Sequence, residues 1–407
     1  MNLMECKLGD LGKIVGGSTP STKDAENYGG NIPWITPKDL TNLKERYIER
    51  GERNITEKGY NSTSTKMLPP NSILFSSRAP IGYIAINKKA VCTNQGFKSI
   101  IPNSKVNYMF LYYLLKYNKN NIEVLGSGTT FKEISGSVMK NIKIDIPERI
   151  EDQIKIAKIL SNIDEKIELN NHINNNLLEI CKSIFKEWFV NYNYPKNNGV
   201  MKDSSLGKIP SEWDICKVQE ISKIKRGASP RPIQNYISNS GVNWLKISDV
   251  TGIKEPFIYN IKEKIKEEGK EKSYFIKKGT LVVSNSATPG IPKFIEVDTC
   301  VHDGWLVLYD YKDYYKYFIY FLILNIRDKL LRLSNGSIFQ NLKTDILKQF
   351  EFVNPTKEIL TKFSEIIESP MNKVKQNCEE NIKLEQIRDT LLPKLMNGEI
   401  DIDKIEI

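Results

Sequence analysis

The sequence predicts an α+β fold in which two homologous mixed α/β domains, in a pseudo-twofold arrangement, are separated by two long antiparallel coiled-coil helices. Two observations predict it. The second half of the chain repeats the first at an offset of about 208 residues, and each repeat is followed by a segment almost free of glycine whose apolar residues are spaced alternately by four and three. A chain of 407 residues is long enough to bury two or three separate cores.

The composition excludes several classes of protein. Lys and Arg number 59 against 49 Asp and Glu, and the net charge of +10 favours a polyanionic partner. No apolar run approaches the roughly 18 residues of a membrane helix, and the first residues lack the apolar core of a secretory signal. We therefore expect a cytoplasmic protein without a membrane partner. Six separated cysteines and two histidines predict no metal site.

The repeat consists of several blocks that keep the same order in both copies. At an offset of 210, residues 8–20 align with 218–230, and residues 32–35 align with 242–245. Two residues are then lost, and the offset of 208 aligns residues 73–79 with 281–287, Cys92 and Gly96 with Cys300 and Gly304, 127–131 with 335–339, and 142–147 with 350–355. Such an order indicates duplication of a whole domain.

Local patterns predict the elements within each copy. Short β-branched runs at 73–75, 83–86, 281–283 and 305–309 predict strands. Segments 108–117 and 314–331, rich in Tyr, Phe and Leu, predict buried helices packed on those strands. The predicted division of the chain is a first domain at 1–150, a first spacer helix at 151–195, a second domain at 196–355 and a second spacer helix at 356–400.

Each of these glycine-poor segments carries a heptad seam. The first seam is Ile156, Leu160, Ile163, Ile167, Asn170, Asn174, Leu177, Cys181, Ile184 and Trp188. An offset of 207 gives the second seam, which is Phe363, Ile367, Pro370, Val374, Asn377, Asn381, Leu384, Arg388, Leu391 and Leu395. The seams match, including the two asparagines at the centre of each.

The central asparagines predict how the two seams meet. Antiparallel packing would place Asn170 opposite Asn381 and Asn174 opposite Asn377, and a buried Asn in a seam disfavours other registers. The alternative is a solvated polar patch on helices that never touch. Pro370 is expected to break the second helix, which would then begin near Met371.

This organisation suggests two readers held apart by a rod. The 33 residues from Ile156 to Trp188 would span roughly 48 Å as a helix. That length exceeds one turn of B-DNA, about 34 to 36 Å. Because the two domains differ in sequence, two such readers would contact two different short DNA sequences.

Six motifs, together with the duplication, give the chain a specific resemblance to a known family. They are Leu-Gly-Asp at 8–10, Gly-Gly-Ser-Thr-Pro at 16–20, Ile-Pro-Trp-Ile at 32–35, Ser-Ser-Arg-Ala-Pro-Ile-Gly at 76–82, Asp-Glu-Lys-Ile-Glu-Leu-Asn-Asn at 164–171 and Leu-Leu-Pro-Lys-Leu-Met-Asn-Gly at 391–398. Over nearly its whole length the chain resembles the DNA-specificity (S) subunit of type I restriction–modification systems. The second copy departs from the first-domain pattern, with Ser-Ala-Thr-Pro in place of Arg-Ala-Pro.

The resemblance implies a noncatalytic DNA-recognition subunit. Its two target-recognition domains would each read one half of an asymmetric bipartite site in double-stranded DNA. Its spacer helices would bind two methyltransferase (M) subunits, and restriction (R) subunits would join that complex. S-adenosylmethionine is expected on the M subunits and ATP on the R subunits, so this chain should carry no cofactor. In agreement, the sequence has no G-x-x-x-x-G-K-[ST] loop and no Asn/Asp-Pro-Pro-aromatic run.

Arg78 is the strongest candidate for a base contact, because Arg bidentate to guanine is the commonest specific pairing in the major groove. A surface salt bridge is its alternative. Trp34 and Trp244 could stack on a base, but a buried core role is favoured. The turns at 17–19 and 227–229 could place backbone N–H groups near phosphate, or serve only as turns.

The remaining candidates for DNA binding lie in loops or are basic. Ser77 precedes Arg78, and Asn285 and Ser286 align with these two residues. The candidates that precede Gly96 and Gly304 are Thr93, Asn94, Gln95 and His302. Two polar segments, which could equally cap helices, contribute Ser127, Thr129, Thr130, Lys132, Asn335, Ser337 and Gln340. Phosphate candidates are Lys23, Lys38, Arg226, Arg231 and Lys246, with a solvated surface as their alternative.

Three other functions stay open at the level of sequence. A self-contained methyltransferase or nuclease would need an unrecognised site, for which acidic residues near Asp298 and Asp303 are the only support. A duplicated scaffold would bind proteins and no DNA. A specificity component of another type of restriction–modification system would show the same features as the leading hypothesis.

Overall fold

The computed structural model describes residues 1–41, 43–78, 80–127, 132–334 and 341–405. The chain divides into two compact units. Unit 1 comprises residues 1–170 and 380–407, and unit 2 comprises residues 171–379. Each unit therefore contains one copy of the duplicated domain together with half of each long helix.

Unit 1 is built on a five-stranded sheet, a three-stranded sheet and a two-stranded ladder. Its strands are β1 (Leu3–Lys7), β2 (Gly12–Gly16), β3 (Tyr28–Ile35), β4 (Tyr47–Ile48), β5 (Asn54–Ile55), β6 (Ile73–Ser77), β7 (Ile81–Asn87), β8 (Cys92–Thr93), β9 (Lys98–Pro102) and β10 (Lys143–Pro147). Its helices are α1 (Leu8–Leu11), α2 (Pro37–Leu40), α3 (Glu57–Asn61), α4 (Tyr108–Tyr117), α5 (Lys119–Val124), α6 (Gly136–Asn141) and the first half of α7 (Ile150–Phe189).

The sheets of unit 1 follow the orders β2-β9-β6-β7-β4, β5-β3-β8 and β1-β10. Helix α4 begins where Asn107 accepts hydrogen bonds from the backbone N–H groups of Met109 and Phe110, both at 3.0 Å. Its central residues, from Phe110 to Leu115, are all buried. They join the core formed by the five-stranded sheet and the long helices, as the aromatic pattern predicts.

Unit 2 repeats this plan, except that its second sheet has five strands where that of unit 1 has three. Its strands are β11 (Met201–Ser204), β12 (Gly207–Pro210), β13 (Asp214–Lys217), β14 (Lys223–Arg226), β15 (Ile237–Ser238), β16 (Val242–Leu245), β17 (Phe257–Ile258), β18 (Lys264–Ile265), β19 (Tyr274–Ile276), β20 (Thr280–Ser284), β21 (Pro292–Ile295), β22 (Thr299–Val301), β23 (Trp305–Tyr309) and β24 (Glu351–Asn354). Its helices are α8 (Val218–Ile221), α9 (Glu267–Lys270), α10 (Lys316–Ser334), α11 (Thr344–Gln349) and the first half of α12 (Lys357–Met396).

The sheet order β14-β23-β20-β21-β17 in unit 2 is the counterpart of the five-stranded order in unit 1. The correspondence extends to single residue pairs. Trp34 pairs with Cys92 between parallel strands β3 and β8, and Trp244 pairs with Cys300 between β16 and β22. The sequence repeat is thus a repeat of fold.

The long helices α7 and α12 each have 40 residues, and they are antiparallel within each unit. In unit 1, Asn170 donates to the side-chain oxygen of Asn381 at 2.9 Å. In unit 2, Asn377 donates to that of Asn174 at 2.8 Å. These are the two pairs that the seams predict. All four asparagines are buried, so they do not form a solvated patch.

The other seam residues line the same helix faces. The buried ones are Ile156, Leu160, Ile167, Cys181, Trp188, Phe363, Ile367, Val374 and Leu395. Those of intermediate exposure are Ile163, Leu177, Ile184, Leu384 and Leu391. Along both helices, apolar seam positions therefore contribute to the packing.

The expected break at Pro370 is wrong, since α12 is continuous from Lys357 to Met396. Proline lacks an N–H group, so the carbonyl four residues earlier, that of Ile366, loses its helical hydrogen bond. Ile366 is 46% exposed. Water can reach this turn of the helix, so the lost bond does not leave a buried carbonyl without a partner.

Candidate nucleic-acid interface

Three loops of unit 1 meet at one place, and we call residues 17–20, 76–78 and 93–96 the three-loop cluster of unit 1. The backbone N–H of Ser18 donates to the carbonyl of Thr93 at 3.0 Å, and that of Ser77 donates to the carbonyl of Gly96 at 2.8 Å. Asn94 closes the third loop by accepting from the Gly96 N–H at 2.9 Å. Backbone bonds therefore fix all three loops, which leaves exposed side chains free to vary.

Unit 2 builds the same three-loop cluster from residues 227–230, 284–286 and 301–304. Ala228 donates to the carbonyl of Val301 at 3.0 Å, and Asn285 donates to that of Gly304 at 2.8 Å. His302 makes the hydrogen bond that corresponds to that of Asn94, since its Nδ1 accepts from the Gly304 N–H at 2.8 Å. The scaffold is conserved between the two copies within the chain, while the side chains differ.

Glycine is required where the first and third loops touch. A Cβ on Gly17 would lie 2.2 Å from the carbonyl oxygens of Thr93 and Asn94, and a Cβ on Gly227 would lie 2.2 Å from that of His302. Backbone oxygens cannot yield this space as a flexible side chain could. The aligned glycines are therefore required by the close approach of the two backbones.

Asp303 organises the three-loop cluster of unit 2. Its carboxylate accepts from Ser229 Oγ at 2.9 Å and from Arg231 Nη2 at 3.3 Å. Its carbonyl accepts from Arg226 Nε at 2.7 Å and from the Asn285 amide at 3.1 Å. Burial would raise the pKa of Asp303, but the Ser229 hydrogen bond and the neighbouring positive charges lower it overall. Two exposed arginines are thereby held beside one loop.

His302 sits between this aspartate and an aromatic ring. Its Nε2 is 2.9 Å from Asp303 Oδ1, and its ring centroid is 5.4 Å from that of Trp244. Burial lowers the pKa of His302, with Asp303 opposing this shift and the charges of Arg231, Lys246 and Arg226 adding to it. A neutral imidazole fits both contacts, because Nε2 then donates to Asp303 while Nδ1 accepts from Gly304.

Arg78 lies at the edge of the three-loop cluster of unit 1 with its side chain 34% exposed. Its Nη1 is 3.5 Å from Glu133 Oε2, and Lys98 Nζ is 3.2 Å from the other oxygen of that carboxylate. The alternative foreseen for Arg78, a surface salt bridge, is therefore present in the free protein. The contact is long and partly solvated, so it is weak enough for a phosphate or base to replace it.

The other polar and basic candidates for DNA binding differ in their exposure and in their partners. Gln95 is exposed and hydrogen-bonds Thr19, while Lys38 is paired with Glu52 at 2.8 Å. Lys246 contacts Glu263 and lies 5.8 Å from the centroid of the Trp244 ring. Exposed candidates are Lys38, Gln95, Ser127, Lys132, Arg226 and Arg231; partly exposed ones are Arg78, Asn94, Lys246, Ser286 and His302.

Three candidates for DNA contact are buried: Ser77, Thr93 and Asn285, at 0, 2 and 4% exposure. Ser77 Oγ donates to the Gly96 carbonyl at 3.2 Å. These side chains support the loops from inside and, as folded, do not present a polar group to a ligand. Sequence could not reveal this, because small polar residues are common both beneath loops and on them.

The tryptophans belong to small cores, as the sequence favours. Trp34 and Trp244 are each 4% exposed, and each packs with the cysteine of the neighbouring strand. Trp34 donates from Nε1 to the carbonyl of Ser18 at 3.1 Å, which ties its core to the first loop. Stacking of either ring on a base would require it to leave this position.

Five candidates, Thr129, Thr130, Asn335, Ser337 and Gln340, lie outside the described residues. Ser127 and Lys132, at the edges of the first of these segments, are exposed. The backbones of Ser127 and Glu133 bond to each other in both directions, at 3.1 and 2.9 Å. Arg78 also forms a bridge with Glu133, so Ser127 and Arg78 both pair with this residue.

Two acidic residues hold the basic ones in place: Glu133, which no sequence pattern indicated, and Asp303, which the sequence offered only in support of an enzyme. Glu133 gathers Arg78 and Lys98, and Asp303 gathers Arg226 and Arg231. The one available signal was that Asp303 follows the variable position His302 in the third loop. No sequence pattern indicates Glu133, because its contact with Arg78 joins two positions that are far apart in the sequence.

The acidic residues behind the enzyme alternative have other roles. Asp298 is exposed and accepts hydrogen bonds from Lys277 Nζ at 2.9 Å and from the backbone N–H of Lys278 at 2.9 Å. These bonds lower the pKa of Asp298.

Among the described residues, no group of three His, Cys, Asp or Glu side chains could hold a metal ion. In the same part of the chain, no helix has the length and apolar character needed to cross a membrane.

Comparison with known families gives a match in both copies. A family described as "Type I restriction modification DNA specificity domain" matches residues 2–179 and again residues 210–386. The two matched ranges include both three-loop clusters and most of the two long helices. They account for well over half of the chain.

Curated relatives match along nearly the full length. The type I restriction enzyme MjaIX specificity subunit of Methanocaldococcus jannaschii is 34% identical over 413 residues, covering 98% of this chain and 94% of the relative. The HindI specificity subunit of Haemophilus influenzae is 23% identical, with 97% and 99% covered. Among solved structures, the S subunit of a type I restriction–modification system from M. genitalium has a TM-score of 0.55 at 18% identity, covering 97% of this chain and 96% of that one. It shows a shared fold.

Proposed function

Because the chain belongs to the family of type I restriction–modification specificity subunits, whose matched domain is a DNA specificity domain and not a catalytic one, we propose that it reads an asymmetric, two-part sequence in double-stranded DNA. Each three-loop cluster reads one half-site. The recognised sequence is asymmetric because the two clusters present different side chains on the same backbone scaffold. The chain contributes recognition and assembly, and its partners contribute the chemistry.

The observation that carries this proposal is the repetition of the three-loop cluster with changed side chains. Equivalent backbone hydrogen bonds occur in both units, yet Asn94 and Gln95 in one correspond to His302 and Asp303 in the other. A fixed scaffold with variable polar groups is what reading different base sequences requires, since phosphate contacts position a protein and base-edge contacts specify the sequence.

Exposed cations provide the means of binding the phosphate backbone. Arg226 and Arg231 are both exposed and lie beside His302, while Lys132 is exposed next to Glu133, the partner of Arg78. Arg78, Arg226 and Arg231 each use only some of their guanidinium N–H donors within the protein. We therefore assign phosphate or base contact to these residues before the buried Ser77, Thr93 and Asn285.

The partners follow from the family and the helices. The curated relatives are named as subunits of type I restriction enzymes, so the catalytic groups belong to other chains. In our proposal two methyltransferase (M) subunits bind the helices α7 and α12, and restriction (R) subunits join them. S-adenosylmethionine then binds the M subunits and ATP the R subunits, with no cofactor on this chain.

The experiment that tests the proposal is a map of methylated adenines in DNA exposed to the chain in complex with its M subunit. We expect modification confined to one asymmetric motif of two parts separated by unspecified bases. Modification without such a motif contradicts the proposal. Salt-dependent DNA binding by the same complex separates it from a scaffold that binds only proteins.

Exchange of one domain tests the division of labour. Replacing residues 8–147 by the corresponding segment of another specificity subunit should change one half-site and leave the other unchanged. A change in both halves would mean that the two clusters read the sequence jointly.

The isolated chain should neither methylate nor cut DNA, and activity that is lost on Asp298→Asn or Asp303→Asn would instead identify a self-contained enzyme.

A further inference from the structure

Unit 1 contains a buried polar cluster where α4 meets the two long helices. Asp164 accepts a hydrogen bond from Tyr113 OH at 2.7 Å and another from Arg388 Nη1 at 2.7 Å. Tyr113 is fully buried, and the side chains of Asp164 and Arg388 are 6 and 17% exposed. We call these three residues the polar triad. Inside the unit, the guanidinium of Arg388 therefore balances the charge of the carboxylate, and the hydroxyl of Tyr113 donates a hydrogen bond to it.

The corresponding place in unit 2 is apolar. The repeat has an offset of 208 at α4 and of 207 at the long helices, and it gives each member of the polar triad a counterpart. The counterparts are Phe321 for Tyr113, Met371 for Asp164 and Cys181 for Arg388. They are 2, 0 and 0% exposed and belong to one hydrophobic cluster. The duplication has thus preserved the place and changed its chemistry.

Both places are assembled from two parts of the chain. We define half 1 as residues 1–198 and half 2 as residues 199–407, each with one domain and one long helix. Half 1 supplies Tyr113 and Asp164 to the polar triad, and half 2 supplies Arg388. Half 2 likewise supplies two of the three apolar counterparts, and half 1 supplies Cys181. Neither place is complete without both halves.

We propose that the polar triad makes the two halves select each other over a second copy of themselves. In an antiparallel pair of two copies of half 1, Asp164 would face Cys181 at both ends and would lose its guanidinium. In a pair of two copies of half 2, Arg388 would face Met371 and would lose the buried carboxylate, keeping only the exposed Asp389 beside it. A buried charge whose partner has been removed is strongly destabilising, whereas a wholly apolar site is tolerated.

The seam asparagines do not make this distinction. Asn170 and Asn174 match Asn377 and Asn381 at the same offset of 207, so a pair of identical halves would still place asparagine opposite asparagine. They set the register of the helices, and the polar triad sets which helices combine. The selection itself holds whether or not the chain binds DNA; its benefit, that two different readers always occur together, rests on the proposed function.

The test uses the whole chain, cut once. A protease site inserted between Asn198 and Gly199, which are both exposed, allows the folded protein to be nicked between the halves. The nicked protein is unfolded in urea, diluted and examined by native mass spectrometry. We expect complexes of one half 1 with one half 2, and pairs of identical halves below about one per cent of the assembled protein. Abundant identical pairs would overturn the proposal.

A matched variant should lose the selection. The triple substitution Tyr113→Phe, Asp164→Met and Arg388→Cys gives unit 1 the apolar set of unit 2. In the same experiment this variant should yield identical pairs as a substantial fraction. If it assembles with the same strict selectivity as the unsubstituted chain, the polar triad is not the determinant.

The uncut chain gives a second measurement that does not depend on refolding of the nicked protein. Asp164→Met alone removes the acceptor of the Tyr113 hydroxyl and of Arg388 Nη1, so that Arg388 keeps only its bonds to the exposed Asp389. This variant should therefore have a lower thermal midpoint. The triple variant should recover most of this loss, because nothing polar is then left without a partner. A triple variant that is no more stable than Asp164→Met would show that the three residues do not depend on one another, and would contradict the proposal.

Discussion

At the scale of single residues, each domain is attached to its own long helix by an ion pair whose domain member is buried, and the two pairs have opposite polarity. In unit 1, Arg46 of the domain binds Glu168 of α7, with Nη2 at 2.9 Å and Nε at 3.0 Å from the two carboxylate oxygens. In unit 2, Lys375 of α12 lies 2.6 Å from Glu296 of the domain. Glu168 and Lys375 are counterparts at the offset of 207, so charge is reversed at the same helix position.

Arg46→Met should destabilise the protein by about 3 kcal/mol, because it leaves Glu168 beside the domain without its counter-ion. Burial opposes the charge of Arg46, but its bond to Glu168 and nearby acidic groups raise its pKa. Urea unfolding measures the change. The double variant Arg46→Met, Glu168→Leu should recover part of the loss, and Lys38→Met, at an exposed pair, serves as the matched control. Equal stability of the single variant and the unsubstituted protein would contradict the ion pair's role.

The reversed polarity predicts which domain exchanges succeed. A copy of residues 8–147 placed before α12 would bring Arg46 against Lys375, and like charges in a buried site repel. We expect this duplicated chain to have a thermal midpoint several degrees below that of the same chain carrying Lys375→Glu. Differential scanning calorimetry of the two chains makes the comparison, and equal midpoints would show that the helix position does not discriminate between the domains.

His302 predicts a pH dependence of stability. Its pKa in the folded protein lies below the ordinary value of 6.5, chiefly through burial, with Asp303 opposing and Arg231, Lys246 and Arg226 adding to the shift. As the pH falls through 6.5 the unfolded chain takes up the proton first, so folding stability is lost. His302→Asn should therefore lose less unfolding free energy between pH 7.5 and 5.5 than the unsubstituted protein. Equal losses, measured in parallel urea titrations, would contradict this origin.

At the scale of elements, the asparagine pairs stabilise one alignment of α7 and α12 at some cost in stability. Asn377 donates to Asn174, but its own side-chain oxygen has no hydrogen-bond partner within the described ranges of the chain. A buried carbonyl oxygen of this kind costs free energy that a leucine pair would not. Register, and not maximal stability, is thus the advantage that the asparagines provide.

Substituting one asparagine should be worse than substituting both. Asn174→Leu leaves the amide of Asn377 buried without its acceptor and should lower the free energy of unfolding by about 1 to 3 kcal/mol. The double variant Asn174→Leu, Asn377→Leu should be at least as stable as the single one, by urea unfolding. Asn175→Leu, exposed on the same helix, is the control. A double variant that loses the sum of both single effects would refute the pairing.

At the scale of the whole molecule, duplication followed by divergence accounts for most features. The two copies keep the sheet order, the backbone bonds of the three-loop clusters and the asparagine seam. They differ in the exposed loop residues, in the polar triad and in the polarity of the ion pairs between domain and helix. The first difference serves recognition in the proposed function, while the other two specify which parts of the chain pair.

The proposed function predicts that the long helices set the separation of the half-sites. Inserting one heptad into both α7 and α12 keeps the seam in register and adds about 10 Å of helix, close to three base pairs at about 3.4 Å each. The methylation map of the assembled complex should then show an unspecified spacer longer by about three base pairs, with both half-sites unchanged. An unaltered spacer would contradict this role of the helices, and altered half-sites would indicate damage to the domains.

The sequence alone determined the duplication, two central strands and one buried helix of each copy, and the pairing of Asn170 with Asn381 and of Asn174 with Asn377. These depend on periodicity and on self-similarity, which are properties of the chain read in one dimension. Pro370 misled because its effect depends on whether water reaches Ile366, which is a question of exposure. The same reason placed Ser77, Thr93 and Asn285 among the candidates although they are buried.

Only the tertiary structure decided which side chains face outward and which charges meet. Asp303 with its two arginines, Glu133 with Arg78, and the polar triad all join residues far apart in sequence. Electrostatic and hydrogen-bond energies fall steeply with distance and depend on burial. A sequence pattern specifies neither quantity, so the partners of a charged residue become known only when the folded chain brings them together.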